Sequence, residues 1–146
     1  MHPCKILFIS APVGSGHIRA AQAVGKAINR IHPHTVVRMA NIFDFFNPSI
    51  GNFLLQAYLK VLTIYPKAYG LAYGWSNNSS LAIKGRELIS RYLAKRMYEY
   101  IKNYNPTAIV CTHATPAGLV AYLVQNGHIR VPTFAIITDY VAHRLW

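Results

Sequence analysis

The amino-terminal end of this chain runs from an apolar strand through a glycine-containing turn into an alanine-rich helix. Residues 10–24 read SAPVGSGHIRAAQAV and continue the apolar run that predicts a strand over Lys5–Ser10. Gly14 and Gly16 allow the backbone to bend tightly and to approach a ligand or a neighbouring strand. The predicted helix, 17–31, then presents free N–H groups and the positive end of its dipole at the turn. This order predicts the start of a βαβ unit.

The alternation of strand and helix continues further along the chain. Strands are predicted at 35–40, at Ala108–Cys111 and at 133–137. A helix is predicted between the last two strands, with Pro116 in its first turn and Gly127 at its end. Alternating units of this kind imply an α/β fold, in which helices cover both faces of a parallel sheet.

The segment 41–104 is far longer than a simple crossover connection requires. Two helices are predicted to fill this insertion. The apolar residues of the first are Phe53, Leu54, Ala57, Tyr58, Val61, Leu62 and Tyr65. Those of the second are Leu88, Ile89, Tyr92, Leu93, Met97, Tyr100 and Ile101. Core packing is the favoured interpretation of the second set.

For the first helix and the loop up to Trp75, partial exposure is favoured, because apolar anchors, interfacial aromatic rings and nearby lysines suit a membrane interface. The residues expected to contact the membrane are Phe53, Leu54, Tyr58, Tyr65 and Trp75.

The charge of the chain restricts its partners. Its 146 residues include 15 Lys and Arg but only 4 Asp and Glu, which gives a net charge of +11. Such a chain is attracted to nucleic acid, nucleotide phosphates or anionic lipid. Two cysteines are too few for a disulfide framework and favour a reducing, cytosolic setting. No signal peptide and no uninterrupted transmembrane run are visible.

The carboxyl edge of the predicted sheet collects the candidate functional residues, since open α/β sheets bind ligands there. His17 stands at the helix start and is the first candidate for a group that acts on a substrate hydroxyl; capping or packing is the alternative. His113, Asp139 and His143 follow other strands to the same edge. A structural role remains open for His113, and helix capping for Asp139. Arg19 occupies the third glycine position of a dinucleotide fingerprint, which argues against NAD binding.

Two motifs together resemble a known family. The run 10–24, with TDYVAHRLW at 138–146, is similar to the amino-terminal domain of monogalactosyldiacylglycerol synthases and bacterial processive diacylglycerol glucosyltransferases. The resemblance spans nearly the whole chain. It implies a Rossmann-like domain, the amino-terminal half of a GT-B fold, with a helical membrane-facing insertion at 41–104.

The resemblance also implies a function. Such enzymes are inverting hexosyltransferases of glycolipid biosynthesis, in which this domain binds diacylglycerol and anionic membrane lipids, and a second domain binds UDP-glucose or UDP-galactose. No metal or other cofactor is normally required. His17 would be the catalytic base, with Asp139 in the same cleft. Substrate-binding roles would fall to Gly14, Ser15, Gly16, His113 and His143.

The chain is much shorter than that family. Residues 1–146 correspond to the first domain only, and the carboxyl-terminal donor-binding domain is missing, so the chain is expected to be inactive alone. A fragment, a natural truncation or a partner chain would account for this. The expected location is the cytoplasm, peripherally at the membrane. Alternatives are a non-catalytic lipid-binding module and a nucleic-acid-binding domain, although no nucleic-acid-binding signature is present.

Overall fold

A parallel sheet forms the centre of the computed structural model, which describes residues 3–12, 15–64 and 80–138, without the side chains of 54–55, 58–59, 61–64 and 80–87. Its strands are β1 (Lys5–Ser10), β2 (Val36–Asn41), β3 (Ala108–Cys111) and β4 (Thr133–Ala135). Their order across the sheet is β2–β1–β3–β4, and every pairing is parallel.

The helices follow the strands in chain order. They are α1 (Ser15–Ile31), α2 (Pro48–Ile64), α3 (Ser80–Tyr104) and α4 (Ala114–Gln125). A short 3₁₀ helix, Ile42–Phe45, links β2 to α2, and Asn41 caps it. The Asn41 side chain accepts the N–H of Phe43, while the Asp44 carboxylate accepts the N–H of Asn41.

Helices cover both faces of the sheet, as predicted. Strand β1, whose three central residues are buried, alternates its side chains between the two faces. Phe8 points to the α1 face, where it packs with Ala21 and Val110. Leu7 and Ile9 point to the opposite face, which α3 and α4 cover. The larger core lies on that second face and includes Leu93, Met97, Ile101, Val120 and Leu123.

Helix α1 lies close against β2 because Gly25 has no side chain. A Cβ at position 25 would be 2.9 Å from the Met39 Cε and 3.1 Å from the Val37 Cγ1. The buried face of α1 is correspondingly narrow, with Ala21 and Gly25 at its centre. Ile31, the last residue of α1, is 71% exposed.

Two element boundaries differ from the sequence predictions. Helix α1 begins at Ser15, two residues before the predicted start, so that Gly16 is helical. Strand β4 ends at Ala135, two residues before the predicted end at 137. In the described sheet β4 pairs only with β3. The pairing ends at Ala135 because β3 ends at its partner, Cys111.

The insertion contains two helices, as predicted, but the core prediction for α3 holds only for its carboxyl-terminal part. Leu93, Met97 and Ile101 are buried, whereas Leu88 and Ile89 are 67% and 53% exposed. The 25 residues of α3 extend over about 38 Å. A six-residue strand covers only about 20 Å. The amino-terminal part of α3 therefore extends beyond the carboxyl edge of the sheet.

No helix among the residues described has the length and apolar character needed to cross a membrane.

Candidate functional site

A crevice is expected where β1 and β3 end side by side, because the chain leaves these strands toward opposite faces of the sheet. From β1 it enters α1 on one face, and from β3 it enters α4 on the other. His17, in the first turn of α1, and His113, directly before α4, meet at this point. Their rings are 4.7 Å apart between centroids, in an edge-to-face arrangement of 78°.

The main chain selects the tautomer of His17. Its Nδ1 lies 2.7 Å from the carbonyl oxygen of Thr112. A carbonyl can only accept a hydrogen bond, so Nδ1 carries the proton and donates it. In the neutral ring, Nε2 then holds an unshared electron pair. The contact leaves His17 with a proton acceptor on the nitrogen that faces away from Thr112.

Thr112 is itself held firmly in place. It is completely buried, its N–H donates to the carbonyl of Ile9 at 3.2 Å, and its hydroxyl donates to the Ser10 hydroxyl at 3.0 Å. Both bonds attach the end of β3 to the end of β1. The Thr112 carbonyl is therefore a fixed acceptor for the His17 ring.

A second oxygen contacts the same His17 nitrogen. The Thr138 hydroxyl lies 2.5 Å from Nδ1, although the two residues are 121 positions apart in the chain. Thr138 follows β4, so the polypeptide that leaves the sheet edge reaches the first turn of α1. The Nδ1 proton is thus placed between two neutral oxygens.

His113 has a structural role, whichever other role it has. Its Nδ1 accepts the N–H of Thr115 at 3.1 Å and caps α4. The structural alternative for His113 is thereby present in the fold, and its substrate-binding role remains a prediction. In the described part of the chain, no three His, Cys, Asp or Glu side chains form a metal-ligand cluster.

The glycine turn differs from the expectation at Gly16. This residue belongs to the first turn of α1 and has no left-handed backbone conformation, so it does not make the bend. A Cβ at Gly16 would meet no atom within 4 Å. Its missing side chain leaves open space beside the exposed Ser15, at the helix end that carries free N–H groups.

Several predicted site residues cannot be placed. Gly14, Asp139, His143, Tyr65 and Trp75 lie outside the described residues, as do the side chains of Leu54 and Tyr58.

An apolar patch, defined as Ile50, Phe53, Leu88, Ile89 and Tyr92, is exposed on α2 and α3. Phe53 is 70% exposed, in agreement with the partial exposure predicted for its helix. Phe46, just after the 3₁₀ helix, connects the two elements: its ring lies 6.2 Å from that of Tyr92, and Gly51 of α2 packs against its Cβ. Helix α2 follows the carboxyl end of β2 through the 3₁₀ helix.

Two groups that contact His17 were not predicted from the sequence: the Thr112 carbonyl and the Thr138 hydroxyl. A threonine after a strand is common, and a main-chain carbonyl leaves no mark in a sequence. The sequence indicated only that both segments follow strands and therefore lie at the carboxyl edge of the sheet.

Comparison with known proteins identifies the family. The model of the family described as monogalactosyldiacylglycerol (MGDG) synthase matches residues 17–146. The processive diacylglycerol β-glucosyltransferase of Bacillus pumilus is 30% identical over 97% of this chain, and those of Bacillus licheniformis and Bacillus subtilis are both 26% identical.

This chain spans about 36% of the length of these relatives. No solved structure matches it significantly. Because the family model covers most of the sequence, the chain belongs to the monogalactosyldiacylglycerol synthase family.

Proposed function

We propose that this chain is the acceptor-binding half of an inverting glycosyltransferase that moves a hexose from a UDP-sugar to diacylglycerol in glycolipid biosynthesis. Family membership and the similarity to processive diacylglycerol β-glucosyltransferases support this proposal. The observation that carries it is the His17–Thr112 contact, because it leaves an imidazole electron pair at the sheet edge where α/β proteins bind ligands.

His17 acts as the general base in this proposal. Its Nε2 accepts the proton of the acceptor hydroxyl while the hydroxyl oxygen attacks the anomeric carbon. The bond between that carbon and the UDP oxygen breaks, UDP leaves with the electron pair, and the configuration at the carbon inverts. The His17 ring becomes positively charged, and its Nδ1–H remains bonded to Thr112.

The start of α1 is proposed to accept phosphate. The free N–H groups and the dipole of the helix favour an anion there, and Gly16 leaves room for one. Ser15 and Gly14 would border this space. His113, Asp139 and His143 are proposed to contact substrates in the same cleft. The UDP-sugar itself would be held by a second domain, and the proposal includes no cofactor or metal.

The apolar patch is proposed to rest on an anionic membrane, so that the chain associates with it peripherally. The charge of +11 attracts anionic lipid, and exposed side chains such as Phe53 and Leu88 provide apolar area. In this proposal the patch and His17 face the same bilayer, so that the lipid hydroxyl reaches the base while its acyl chains stay in the bilayer.

A chimera tests the catalytic proposal. The corresponding amino-terminal part of the Bacillus subtilis relative is replaced by this chain, and glucose transfer from UDP-glucose to diacylglycerol is measured. His17→Ala is expected to lower kcat by about 10²-fold or more, as loss of a general base does. Thr133→Ala, an exposed change on β4, serves as the control.

Near-normal turnover of the His17→Ala chimera would remove His17 from the role of base. A folded chimera that transfers no glucose would contradict the assignment of this chain as the acceptor half. It would favour the alternative of a non-catalytic lipid-binding module.

A further inference from the structure

We propose that Thr138 is a positioning residue for His17. Its hydroxyl is a second acceptor for the Nδ1 proton that the Thr112 carbonyl selects, so it orients the ring and stabilises the ring once it is charged. The inference rests on the proposed function of His17 as a base and goes beyond it, because it assigns a role to a residue distant in sequence.

Hydrogen-bond direction supports this role. Two oxygens lie within hydrogen-bond distance of Nδ1, from Thr112 and from Thr138. The carbonyl requires a proton on Nδ1, so the Thr138 hydroxyl also accepts and shares this proton. In the other tautomer the carbonyl oxygen would face a lone pair at 2.7 Å, which is repulsive. The carbonyl therefore selects the tautomer, and the hydroxyl adds a second acceptor for the proton that it places on Nδ1.

The Thr138 hydroxyl is brought to His17 by packing. Just before it, the N–H of Ile136 donates to the carbonyl of Cys111 at 2.8 Å, which attaches this segment to the end of β3. Ile136 also packs against the core on the α1 face of the sheet. Thr138 itself is half-buried. The segment after β4 is thus fixed at a point two residues before the hydroxyl.

Both oxygens that hold the ring are uncharged. The two carboxylates that the structure describes make contacts elsewhere: that of Asp44 accepts the N–H of Asn41, and that of Glu99 lies 3.9 Å from Arg96. Hydrogen bonds strengthen when the donor becomes charged. The Thr112 and Thr138 bonds therefore gain strength as the ring takes a proton, which stabilises the transition state more than the ground state.

Thr138→Val tests this role, because valine keeps the shape and removes the hydroxyl. The first readout uses this chain alone: the NMR shifts of the His17 ring nitrogens and of the Nδ1 proton, measured with the ring neutral. In the unchanged chain we expect a protonated Nδ1, an unprotonated Nε2 and an Nδ1 proton shifted downfield by its two acceptors. In Thr138→Val we expect the same tautomer, because the carbonyl still selects it, and an Nδ1 proton shifted upfield by the loss of one acceptor. Thr138→Ser should keep the original pattern, as should the matched control Thr133→Val on the exposed β4.

The second readout is turnover of the chimera. Thr138→Val is expected to lower kcat about tenfold with KM nearly unchanged, the loss that one hydrogen bond to a charged group produces, and Thr138→Ser is expected to restore it. An Nδ1 proton resonance unchanged in a folded Thr138→Val chain would overturn the inference, as would a drop in kcat that Thr138→Ser does not restore.

The two proposals fail separately. If His17→Ala leaves transfer intact, the catalytic proposal is wrong, but the ring shifts still report whether the Thr138 hydroxyl is bonded to Nδ1. If Thr138→Val leaves the ring shifts unchanged while His17→Ala abolishes transfer, His17 is the base but Thr138 does not position it.

Discussion

Burial and main-chain contacts decide the chemistry of individual side chains in this protein. His17 lies in the first turn of a helix, and a carbonyl 95 positions away determines which of its nitrogens carries the proton. Cys111 shows the opposite outcome, because it lies in β3 and is only 2% exposed. Burial raises the pKa of its thiol to about 12, which keeps it protonated at neutral pH. Position in the fold thus makes one group available for chemistry and another inert.

The two cysteines are therefore expected to react at very different rates. At pH 8 an aromatic disulfide reagent should modify the exposed Cys4 rapidly. Cys111 should react only as the chain unfolds, because the thiolate is the reactive form. Cys4→Ser should remove the fast phase and leave the slow one. Equal rates for both thiols in the folded protein would contradict the burial of Cys111.

The same group makes stability depend on pH. The thiol of Cys111 has a pKa near 9.0 when unfolded and about 12 when folded. Its contribution to the free energy of unfolding is complete below about pH 9. It is lost as the pH rises toward 12, because only the unfolded chain then releases the proton.

At the scale of elements, close packing and length decide the arrangement. Gly25 lets α1 lie against β2, and the length of α3 carries its first residues beyond the sheet. Gly118 in α4 offers a comparison, since a Cβ there would meet nothing within 4 Å. The two glycines lie inside helices and differ in what surrounds them.

The same substitution is accordingly expected to have different effects at these positions. Gly118→Ala should raise the free energy of unfolding by about 0.5–1 kcal/mol, because alanine favours the helix. Gly25→Ala should raise the free energy of unfolding by less, or lower it, because its Cβ would press on Val37. Gly25→Val should cost about 1–3 kcal/mol through overpacking. Chemical denaturation measures all three, and an equal gain from both alanine variants would contradict the close packing of α1.

At the scale of the whole molecule, positive charge and the apolar patch are the two features on which the proposed membrane association depends. Fifteen basic residues against four acidic ones act over the whole surface, but salt screens them within about 10 Å at 0.1 M. The patch on α2 and α3 is an apolar contribution that salt does not screen. The two contributions to membrane binding can therefore be separated by ionic strength.

Vesicle binding is expected to depend on both contributions. The chain should sediment with vesicles of anionic phospholipid more than with zwitterionic ones, and salt should weaken this binding. Phe53→Ser should weaken the binding left at high salt about tenfold or more, the effect of losing one buried aromatic side chain.

Ile31→Ser is the matched control, because Ile31 is 71% exposed but lies at the end of α1, outside the patch. An equal loss in both variants, or no sedimentation even at low salt, would contradict the membrane proposal. Preference for RNA over vesicles would favour the nucleic-acid interpretation.

The sequence was sufficient for the parts of the fold that depend on neighbours along the chain. Strands β1 and β3 have the predicted bounds because each is a short apolar run beside a turn signal: the glycine turn follows β1, and Asn105-Pro106 precedes β3. The helices, the parallel sheet and the sheet edge that carries His17 follow from the same local pattern and from the rules that connect parallel strands.

Contacts between distant segments were decided by the tertiary structure alone. The meeting of His17 with Thr138 spans 121 positions, and the partner at Thr112 is a carbonyl that every residue type has. The exposure of Leu88 likewise depends on how far α3 extends past the sheet, not on its spacing. Local patterns determine which elements form, whereas the nitrogen that keeps its lone pair depends on which atoms the packed elements bring together.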